Sequence, residues 1–378
     1  MIAPPEPQLL SRLAPLAEVL SRIDALAGPV APRDVELAAA AGRVLAADVG
    51  VEAPVPAAPI ALRDGWAVRS EAVADAGAYA PQPLDPAPHR VETGEPLPRG
   101  MDAVLAPDAV ALRGGRAEAL APVAPGEGLL AAGAHAGPGH VLRHAGERIR
   151  AIDVSVLRAA GVPRVKVREP RLRIVTANAQ IDAVDDTVAL FVGRDIDAAG
   201  GIAAVTRAAL DEDGALERAL AAEHADAVVA IGGTGAGRHD ASIRTLARVG
   251  RVDIHGIGLV PGESAAIGAA GARPVLMLPG RLDAALAVWL VLGRRLLRRL
   301  TARADADEGA PVRLARKITS TVGLAEVVLV RRGEDGVEPI AFGFFTLQAM
   351  AAADGWVLVP PDREGYPPGT TVEMRALP

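Results

Sequence analysis

The chain has 378 residues, of which 50% are hydrophobic but only 2% aromatic, and its formal net charge is −6. This length provides for more than one domain, with cores built from Ala, Val, Leu and Ile. The acidic balance argues against nucleic-acid binding, which requires a clustered basic surface, and the absence of cysteine excludes disulfides, thiolate metal sites and cysteine nucleophiles.

No targeting or membrane signal is evident in the sequence. The longest strongly apolar helix candidate, around residues 284–292, is too short to span a bilayer. The N-terminal residues lack the basic and then apolar pattern of a signal peptide. We therefore expect a soluble, cytoplasmic protein that binds neither membranes nor nucleic acid.

The N-terminal part combines helical patterns with a β-rich segment. Leucine and isoleucine recur at helical spacing over residues 8–28, and a second helix is predicted at 36–41, ending at Gly42. Residues 53–144 carry short β-type runs between proline and glycine turns, which predicts a small β-rich domain. Three of these runs lie at 67–69, 103–106 and 141–143. A further helix is predicted at 152–160.

Strands and helices alternate over residues 171–303. The predicted strands are 172–176, 227–231 and 274–278, and the predicted helices are 201–210, 214–224, 242–249 and 282–300. This order predicts an open, three-layer α/β domain with a mostly parallel sheet, in which ligands bind at the carboxyl ends of strands. Glycine turns follow two of these strands, one after Ile231 and one after Leu278.

An acidic, alanine-rich segment at 302–310 has the composition of a linker. After it, apolar runs at 327–330, 356–359 and 371–374 predict a small C-terminal β domain.

Residues 232–240, Gly-Gly-Thr-Gly-Ala-Gly-Arg-His-Asp, form the densest glycine turn of the chain. Glycines let a backbone approach a ligand closely, and their N–H groups beside a helix N-terminus favour an anion. Thr234 adds a hydroxyl, and Asp240 adds a carboxylate suited to holding a cation or capping the next helix. The turn is not a P-loop, because no Gly-Lys-Ser/Thr follows. The alternative is a glycine turn without a ligand.

Six segments occur in an order that is more specific than any one of them. They are 63–68 (Arg-Asp-Gly-Trp-Ala-Val), 93–104 (Thr-Gly-Glu-Pro-Leu-Pro-Arg-Gly-Met-Asp-Ala-Val), 232–240, 261–262 (Pro-Gly), 278–280 (Leu-Pro-Gly), and the C-terminal pair 353–356 (Ala-Asp-Gly-Trp) and 364–366 (Glu-Gly-Tyr). This ordered set resembles the molybdopterin molybdotransferase family, whose relatives include the E domain of gephyrin. The resemblance covers nearly the whole chain.

The resemblance implies a multidomain α/β plus β architecture. A discontinuous helical domain would comprise 1–52 and 145–170, followed by a β-rich domain at 53–144, a molybdopterin-binding α/β domain at 171–303 and a C-terminal β domain at 310–378. Members of the family form homodimers whose cleft combines the α/β domain of one subunit with parts of the other. They hydrolyse adenylylated molybdopterin and insert molybdenum from molybdate with the help of magnesium.

The resemblance also assigns expected roles to residues. It places Asp64 and Asp240 as catalytic groups, while the metal ligands stay unknown. The residues expected to bind the pterin phosphate are Thr93, Gly94, Gly232, Gly233, Thr234, Gly235, Gly237, Pro261, Gly262, Pro279, Gly280 and Arg281.

Four departures from the family pattern leave the activity open. The family's acidic Thr-Gly-Asp-Glu-Leu is here Thr-Ala-Asn-Ala-Gln at 176–180, and its Gly-Glu-Asp is Gly-Ala-His at 133–135. Glu263 replaces a lysine, and Arg281 replaces an asparagine. Because Mg²⁺ requires oxygen ligands, the alternative function is a degenerate molybdopterin-binding carrier, chaperone or partner of a molybdoenzyme.

Several of these residues also have simpler interpretations. Asp64 could shape its Asp-Gly turn, Thr93 could cap a turn, and Arg281 could pair with Asp283 or Glu263. The histidines at 135 and 239 are expected to be solvated rather than to bind metal. A basic stripe in the last predicted helix of the α/β domain is expected to face solvent; it comprises Arg294, Arg295, Arg298 and Arg299.

Overall fold

The computed structural model describes residues 8, 10–178, 183–209, 214–237, 240–304 and 309–378. These residues divide into two compact units. The first unit is drawn from Met1–Ala47, Ala145–Val154 and Arg164–Pro378, and the second from Asp48–His144 and Ser155–Pro163.

The described helices and strands follow one another in this order. Up to residue 168 they are α1 (Leu16–Leu26), β1 (Arg33–Glu36), β2 (Val44–Leu45), β3 (Val49–Gly50), β4 (Ile60–Ala61), β5 (Gly65–Val68), β6 (Gln82–Leu84), β7 (His89–Val91), β8 (Ala103–Leu105), β9 (Val110–Arg113), β10 (Arg116–Ala119), β11 (Leu129–Leu130), β12 (Val141–Arg143), α2 (Ala151–Ala159) and β13 (Arg164–Arg168). From residue 171 they are β14 (Arg171–Asn178), α3 (Ala183–Ala198), β15 (Ile202–Ala209), α4 (Ala215–Ala221), β16 (Ala227–Ile231), α5 (Ser242–Val249), β17 (Arg251–His255), β18 (Leu259–Val260), β19 (Ala266–Ala270), β20 (Arg273–Leu278), α6 (Leu282–Val288), α7 (Arg294–Thr301), β21 (Ala310–Arg313), β22 (Ile318–Thr319), β23 (Ala325–Gly333), β24 (Gly336–Ala341), α8 (Leu347–Ala352), β25 (Gly355–Val359), β26 (Gly365–Tyr366) and β27 (Thr371–Ala376).

The second unit is built mainly from short antiparallel strands. One sheet has the order β7-β5-β8 and another has the order β6-β10-β9. Val68, Val73 and Leu105 pack in a small apolar core beneath these sheets. The three β-type runs predicted at 67–69, 103–106 and 141–143 are therefore confirmed as parts of β5, β8 and β12.

A six-stranded sheet of order β15-β14-β16-β20-β19-β17 forms the centre of the first unit. β15, β14, β16 and β20 are mutually parallel. At one side β19 pairs antiparallel with β20, and β17 pairs antiparallel with β19. All five residues of β16 are buried because both faces of the strand are covered.

Helices cover both faces of this sheet. Val229 and Ile231 of β16 pack in the core shared with α1, α3, α6 and α7. Val228 and Ala230 face the opposite core, which includes residues of α4 and α5. The alternation of side chains along one strand thus separates two apolar layers, and the predicted three-layer α/β fold is confirmed.

The C-terminal strands form a second sheet, of order β18-β23-β25-β27-β21 with β24 beside β23. The predicted strands at 327–330, 356–359 and 371–374 are confirmed within β23, β25 and β27.

Two predicted helices are wrong. Residues 36–41 contain only a 3₁₀ turn, Leu37–Ala39, because β1 immediately before it pairs with β13. Residues 201–210 contain the edge strand β15, which pairs in parallel with β14 over its whole length. Its alanines favour a helix, but strand pairing overrides that local preference.

Two further predicted helices differ from the structure, one in where it begins and the other in its internal geometry. α1 begins only at Leu16, after Pro15, because a proline lacks the N–H and clashes inside a helix. The helix predicted at 282–300 contains a π-helical turn, Trp289–Gly293, between α6 and α7. A Cβ at Gly293 would lie 2.1 Å from the Trp289 ring, so this turn requires glycine. No helix in the described ranges is long and apolar enough to cross a membrane.

A buried polar contact joins α3 to the π-helical turn and to α7. The Trp289 Nε1–H donates to Asp195 Oδ2 at 2.7 Å, and Arg294 Nε donates to the same oxygen at 3.1 Å. Asp195 is 9% exposed. Its carboxylate therefore depends on these two donors for the charge to stay buried.

We predict that Asp195→Ala lowers the free energy of unfolding by about 3 kcal/mol, because it leaves the buried indole N–H and guanidinium without their acceptor. Urea unfolding followed by tryptophan fluorescence measures the change. Asp197→Ala, two residues along α3 and exposed, is the control and should cost far less. Equal losses in the two variants would contradict the assigned role of Asp195.

A second ion pair joins α1 to α7. Arg295 donates through Nε and Nη2 to the Asp24 carboxylate, and this hydrogen bond is the main cause that lowers the pKa of Asp24 from its usual value of 3.8. Because the folded pKa lies below the unfolded one, the pair stabilises the fold above the unfolded pKa and loses this contribution as pH falls through the folded pKa.

We predict that Asp24→Asn lowers stability near neutral pH by about 0.5–1 kcal/mol, a value reduced by solvent screening of this half-exposed pair. The difference between variant and parent should vanish in strong acid. Thermal melts across an acid pH series test this. Glu18→Gln, which removes the more exposed pair of the same helix with Arg12, is the control and should change the melting temperature less.

Candidate functional site

The glycine loop begins where β16 ends, and its first residues fit only without side chains. Gly232 and Gly233 have φ values of 87° and 69°. A Cβ at Gly233 would lie 2.4 Å from the Ser242 Oγ. The Ser242 hydroxyl donates to the Gly232 carbonyl at 2.8 Å, and the Ser242 N–H donates to the Gly233 carbonyl at 3.1 Å. These contacts hold the N-terminus of α5 directly against the loop.

Gln8 fills the space between the loop and α5. Its Nε2 donates to the carbonyl oxygens of Gly233 and Gly235, each at 3.0 Å. Its Oε1 accepts from the N–H groups of Ile243 and Arg244, each at 3.1 Å. The α5 N-cap residue, Ala241, makes no side-chain cap, so Gln8 serves as the cap from a distant part of the chain.

The sequence analysis missed Gln8 as a site residue. No local pattern marks it, since its partners lie more than two hundred residues away. The only available signal was that the well-predicted helix α5 has alanine rather than Ser, Thr, Asp or Asn at its N-cap.

Thr234 is turned into the protein. It is 2% exposed, and its hydroxyl forms a 3.1 Å hydrogen bond with the Ser264 hydroxyl. The His255 Nε2–H donates to the Thr234 carbonyl at 2.9 Å. No pattern in the sequence marks Ser264 or His255, which contact the loop from segments more than twenty residues further along the chain.

Asp240 folds back over the loop. Its Oδ2 accepts from the Gly237 N–H at 2.8 Å. A Cβ at Gly235 or Gly237 would lie 2.8 Å or 3.0 Å from that oxygen, so a side chain at either position would require the Asp240 carboxylate to move. The alternative in which Asp240 caps α5 is wrong, because the N-cap is Ala241.

The turn at Pro261 and Gly262 packs against α6. The Val260–Pro261 peptide is cis, and Gly262 has a φ of 136°. A Cβ at Gly262 would lie 2.4 Å from Val288 Cγ2. The Glu263 carboxylate accepts from the Gly262 N–H at 3.0 Å, so this acid is turned back on its own turn.

The turn after β20 lies directly beside the glycine loop. Ile231 and Leu278 are register partners in parallel strands, and the Gly232 N–H donates to the Leu278 carbonyl at 3.0 Å. Pro279 and Gly280 follow at the same edge. The described parts of the three predicted segments of the first unit, 232–237 with 240, 261–262 and 278–281, therefore come together at the carboxyl ends of the parallel strands.

Arg281 pairs with Asp283, as one of the alternatives predicted. Its Nε and Nη2 donate to the two carboxylate oxygens at 3.1 Å and 2.6 Å. Asp283 is 3% exposed, and its hydrogen bond is the main cause that raises the pKa of Arg281. The guanidinium also lies 5.3 Å from the centre of the Phe344 ring. The proposed anion contact of Arg281 stays a prediction.

In the second unit the structure brings Asp64 and Thr93 together. Asp64 Oδ1 accepts from the Thr93 N–H at 2.8 Å and from its hydroxyl at 3.0 Å. The backbone hydrogen bond is the main cause that lowers the pKa of Asp64. Gly94 follows with a φ of 91°. These three residues are exposed, and Asp64 is held in its ionised form. Their functional role stays a prediction.

Other sequence candidates do not gather into a site. His135 is exposed, and Ala179, Gln180, Arg238 and His239 lie outside the described residues. No three metal-ligating side chains come together in the described part of the chain.

The prediction that the arginine stripe of α7 faces solvent is wrong for three of its four residues. Arg294 pairs with Asp195, Arg295 pairs with Asp24, and Arg299 donates to the carbonyls of residues 24 and 27. Their side chains bind α7 to α1 and α3 through hydrogen bonds and ion pairs. Part of this stripe also lines a cavity of about 500 Å³ that reaches the chain end at Pro378 and contacts none of the predicted site residues.

Comparisons with known proteins cover nearly all of the chain. Three family descriptions match in order: "MoeA N-terminal region (domain I and II)" over 14–161, "Probable molybdopterin binding domain" over 174–299, and "MoeA C-terminal region (domain IV)" over 311–377. The chain is 29% identical to molybdopterin molybdenumtransferase 1 of Mycobacterium tuberculosis, with 89% of each protein covered. It is 24% identical to a putative molybdopterin biosynthesis protein of Methanocaldococcus jannaschii, with 91% of this chain and 92% of that protein covered.

A solved structure agrees with these sequence matches. The molybdopterin biosynthesis MoeA protein of Pyrococcus horikoshii superposes with a TM-score of 0.76 at 26% identity, covering 97% of this chain and 99% of that one. The ordered motifs, the three family matches and the shared fold all agree. The chain therefore belongs to the MoeA family, the molybdopterin molybdotransferases of molybdenum cofactor biosynthesis.

Proposed function

We propose that this chain binds adenylylated molybdopterin at the carboxyl edge of its central sheet and inserts molybdenum into it. The observation that carries the proposal is the convergence of three turns at this edge. The Gly232 N–H to Leu278 carbonyl bond and the Thr234 to Ser264 bond join them. Such an edge offers backbone N–H groups to a phosphate at a place where α/β folds bind ligands.

The acids around these turns are already engaged with nearby donors. Asp240 accepts from Gly237, Glu263 accepts from Gly262, and Asp283 accepts from Arg281. Each hydrogen bond holds its carboxylate in a fixed direction, and the guanidinium of Arg281 also neutralises the charge of Asp283. The replacement of a family lysine by Glu263 is therefore compatible with anion binding.

Arg281 is the cation that we assign to the phosphate. Its bond to Asp283 uses Nε and Nη2, and a guanidinium has five N–H donors, so Nη1 remains to reach an anion. The side chain is 63% exposed, while the buried Asp283 and the Phe344 ring fix its direction. A held guanidinium binds a phosphate with less loss of side-chain entropy than a free one.

The family's magnesium does not fit the described residues. Mg²⁺ prefers several oxygen ligands in octahedral geometry. The described carboxylates at the sheet edge are bonded to N–H groups, and no three ligating side chains cluster in the ranges that the structure describes. No magnesium-dependent step is assigned to them. Asp64 and Asp240 as catalytic groups, the homodimer and a molybdoenzyme partner stay predictions.

Turnover is the direct test. The purified chain is mixed with adenylylated molybdopterin and molybdate, and AMP release and reactivation of a cofactor-free molybdoenzyme are measured. We expect both products. Binding without either product would contradict the transferase activity and favour the carrier function, and failure to bind any pterin phosphate would contradict both.

We predict that Arg281→Ala weakens binding of the pterin phosphate by about tenfold or more, the usual effect of losing a hydrogen bond to a charged group. Isothermal titration calorimetry measures this. Arg363→Ala is the matched control, because Arg363 also stacks on an aromatic ring, 5.6 Å from the centre of Tyr366, but is not assigned to the site. Equal affinities of the two variants would argue against the role of Arg281.

A further inference from the structure

The amide of Gln8 sets the direction of two peptide planes in the glycine loop. Both carbonyl oxygens that it binds, those of Gly233 and Gly235, lie 3.0 Å from Nε2. The peptides that follow these residues are trans, so each N–H points opposite to its carbonyl. The N–H groups of Thr234 and Ala236 are therefore turned away from Gln8. Neither donates to another residue in the described ranges.

The N-terminus of α5 is not available to a ligand. Ser242 N–H donates to the Gly233 carbonyl and Thr245 N–H donates to the Ala241 carbonyl. The two N–H groups between them, those of Ile243 and Arg244, are both taken by Gln8 Oε1. The glycine pattern predicts an anion beside this helix N-terminus, but the protein itself uses all four of these donors.

We propose that Gln8 is a positioning residue that directs the N–H group of Ala236 to the ligand phosphate, an inference that rests on the proposed function. Ala236 is exposed whereas Thr234 is 2% exposed, so the peptide that Gln8 holds through the Gly235 carbonyl is the one that a ligand can reach. A glutamine suits the cap position, because its neutral amide satisfies α5 without bringing a negative charge next to the phosphate. An aspartate or glutamate cap would bring that charge.

The test separates phosphate binding from stability by comparing two ligands. One is a pterin with a terminal phosphate, and the other is the same pterin after removal of the phosphate by phosphatase. Gln8→Met keeps the length of the side chain but removes its hydrogen bonds. We expect this variant to bind the phosphorylated pterin about tenfold more weakly than the parent does. Its affinity for the dephosphorylated pterin should change little.

Val19→Ala is the control for loss of stability. Val19 is fully buried in α1 and is not bonded to the loop, so its truncation destabilises the same N-terminal region. It should leave the ratio of the two affinities unchanged. Thermal melts of both variants show whether they are comparably destabilised.

Gln8→Glu keeps the test valid if Gln8→Met does not fold. Its carboxylate still accepts from Ile243 and Arg244, so α5 stays capped, but it cannot donate to Gly233 and Gly235. We expect the same loss of phosphate preference. Stability should also fall, because the buried carboxylate faces two carbonyl oxygens, and the same thermal melts measure that loss.

Three results would overturn the inference. Tighter phosphate binding by Gln8→Met would show that Gln8 competes with the ligand, and an unchanged affinity ratio would show that it only stabilises the fold. In both cases the parent still binds the phosphorylated pterin and the proposed function stands. If the parent binds neither pterin, the proposed function fails and this inference fails with it.

Discussion

The candidate site depends on the lack of space between Gly233 and Ser242. β16 is buried on both faces, so its end point is fixed by two apolar layers. From that point the chain must turn into α5 while Ser242 lies where a Gly233 side chain would be. The Ser242 hydroxyl then holds the Gly232 carbonyl, and the adjacent turns at residues 264 and 278 bond to the same loop. One steric constraint therefore positions three turns.

The carboxylates at the site are held locally by short hydrogen bonds, and the charge of Asp283 is also balanced by Arg281. Asp240, Glu263 and Asp283 would together make a strongly repulsive environment for a phosphate if they were unpaired. Each one accepts instead from an N–H within three residues along the chain. Because these contacts are local, Glu263, at the position where the resemblance expects a lysine, changes one turn and leaves the neighbouring donors in place. An acidic residue is accommodated in this way at the edge of the candidate site.

The parts of the structure that the sequence predicted are those with a local cause. β16 and α5 were predicted with their observed bounds, since a continuous apolar run and a periodic amphipathic segment carry their own signals. β15 was predicted as a helix because its alanines favour one, and only pairing with β14 makes it a strand. The glycine loop was found from its composition. Its partners Gln8 and Ser264 were not, because tertiary contacts alone bring them there.

The same distinction bears on how this family diverges. The donors that would hold a phosphate are backbone N–H groups, which every residue except proline provides, and their direction depends on glycine φ values and on the Gln8 amide. Metal chemistry depends instead on particular carboxylates, and residues 176–180 and 133–135 contain none where the resemblance expects acids. Substitution of side chains therefore erodes metal binding faster than it erodes phosphate binding. A chain with Gly232, Gly233 and their contacts keeps the geometry of the glycine loop whatever its acidic motifs, so binding and turnover must be measured separately.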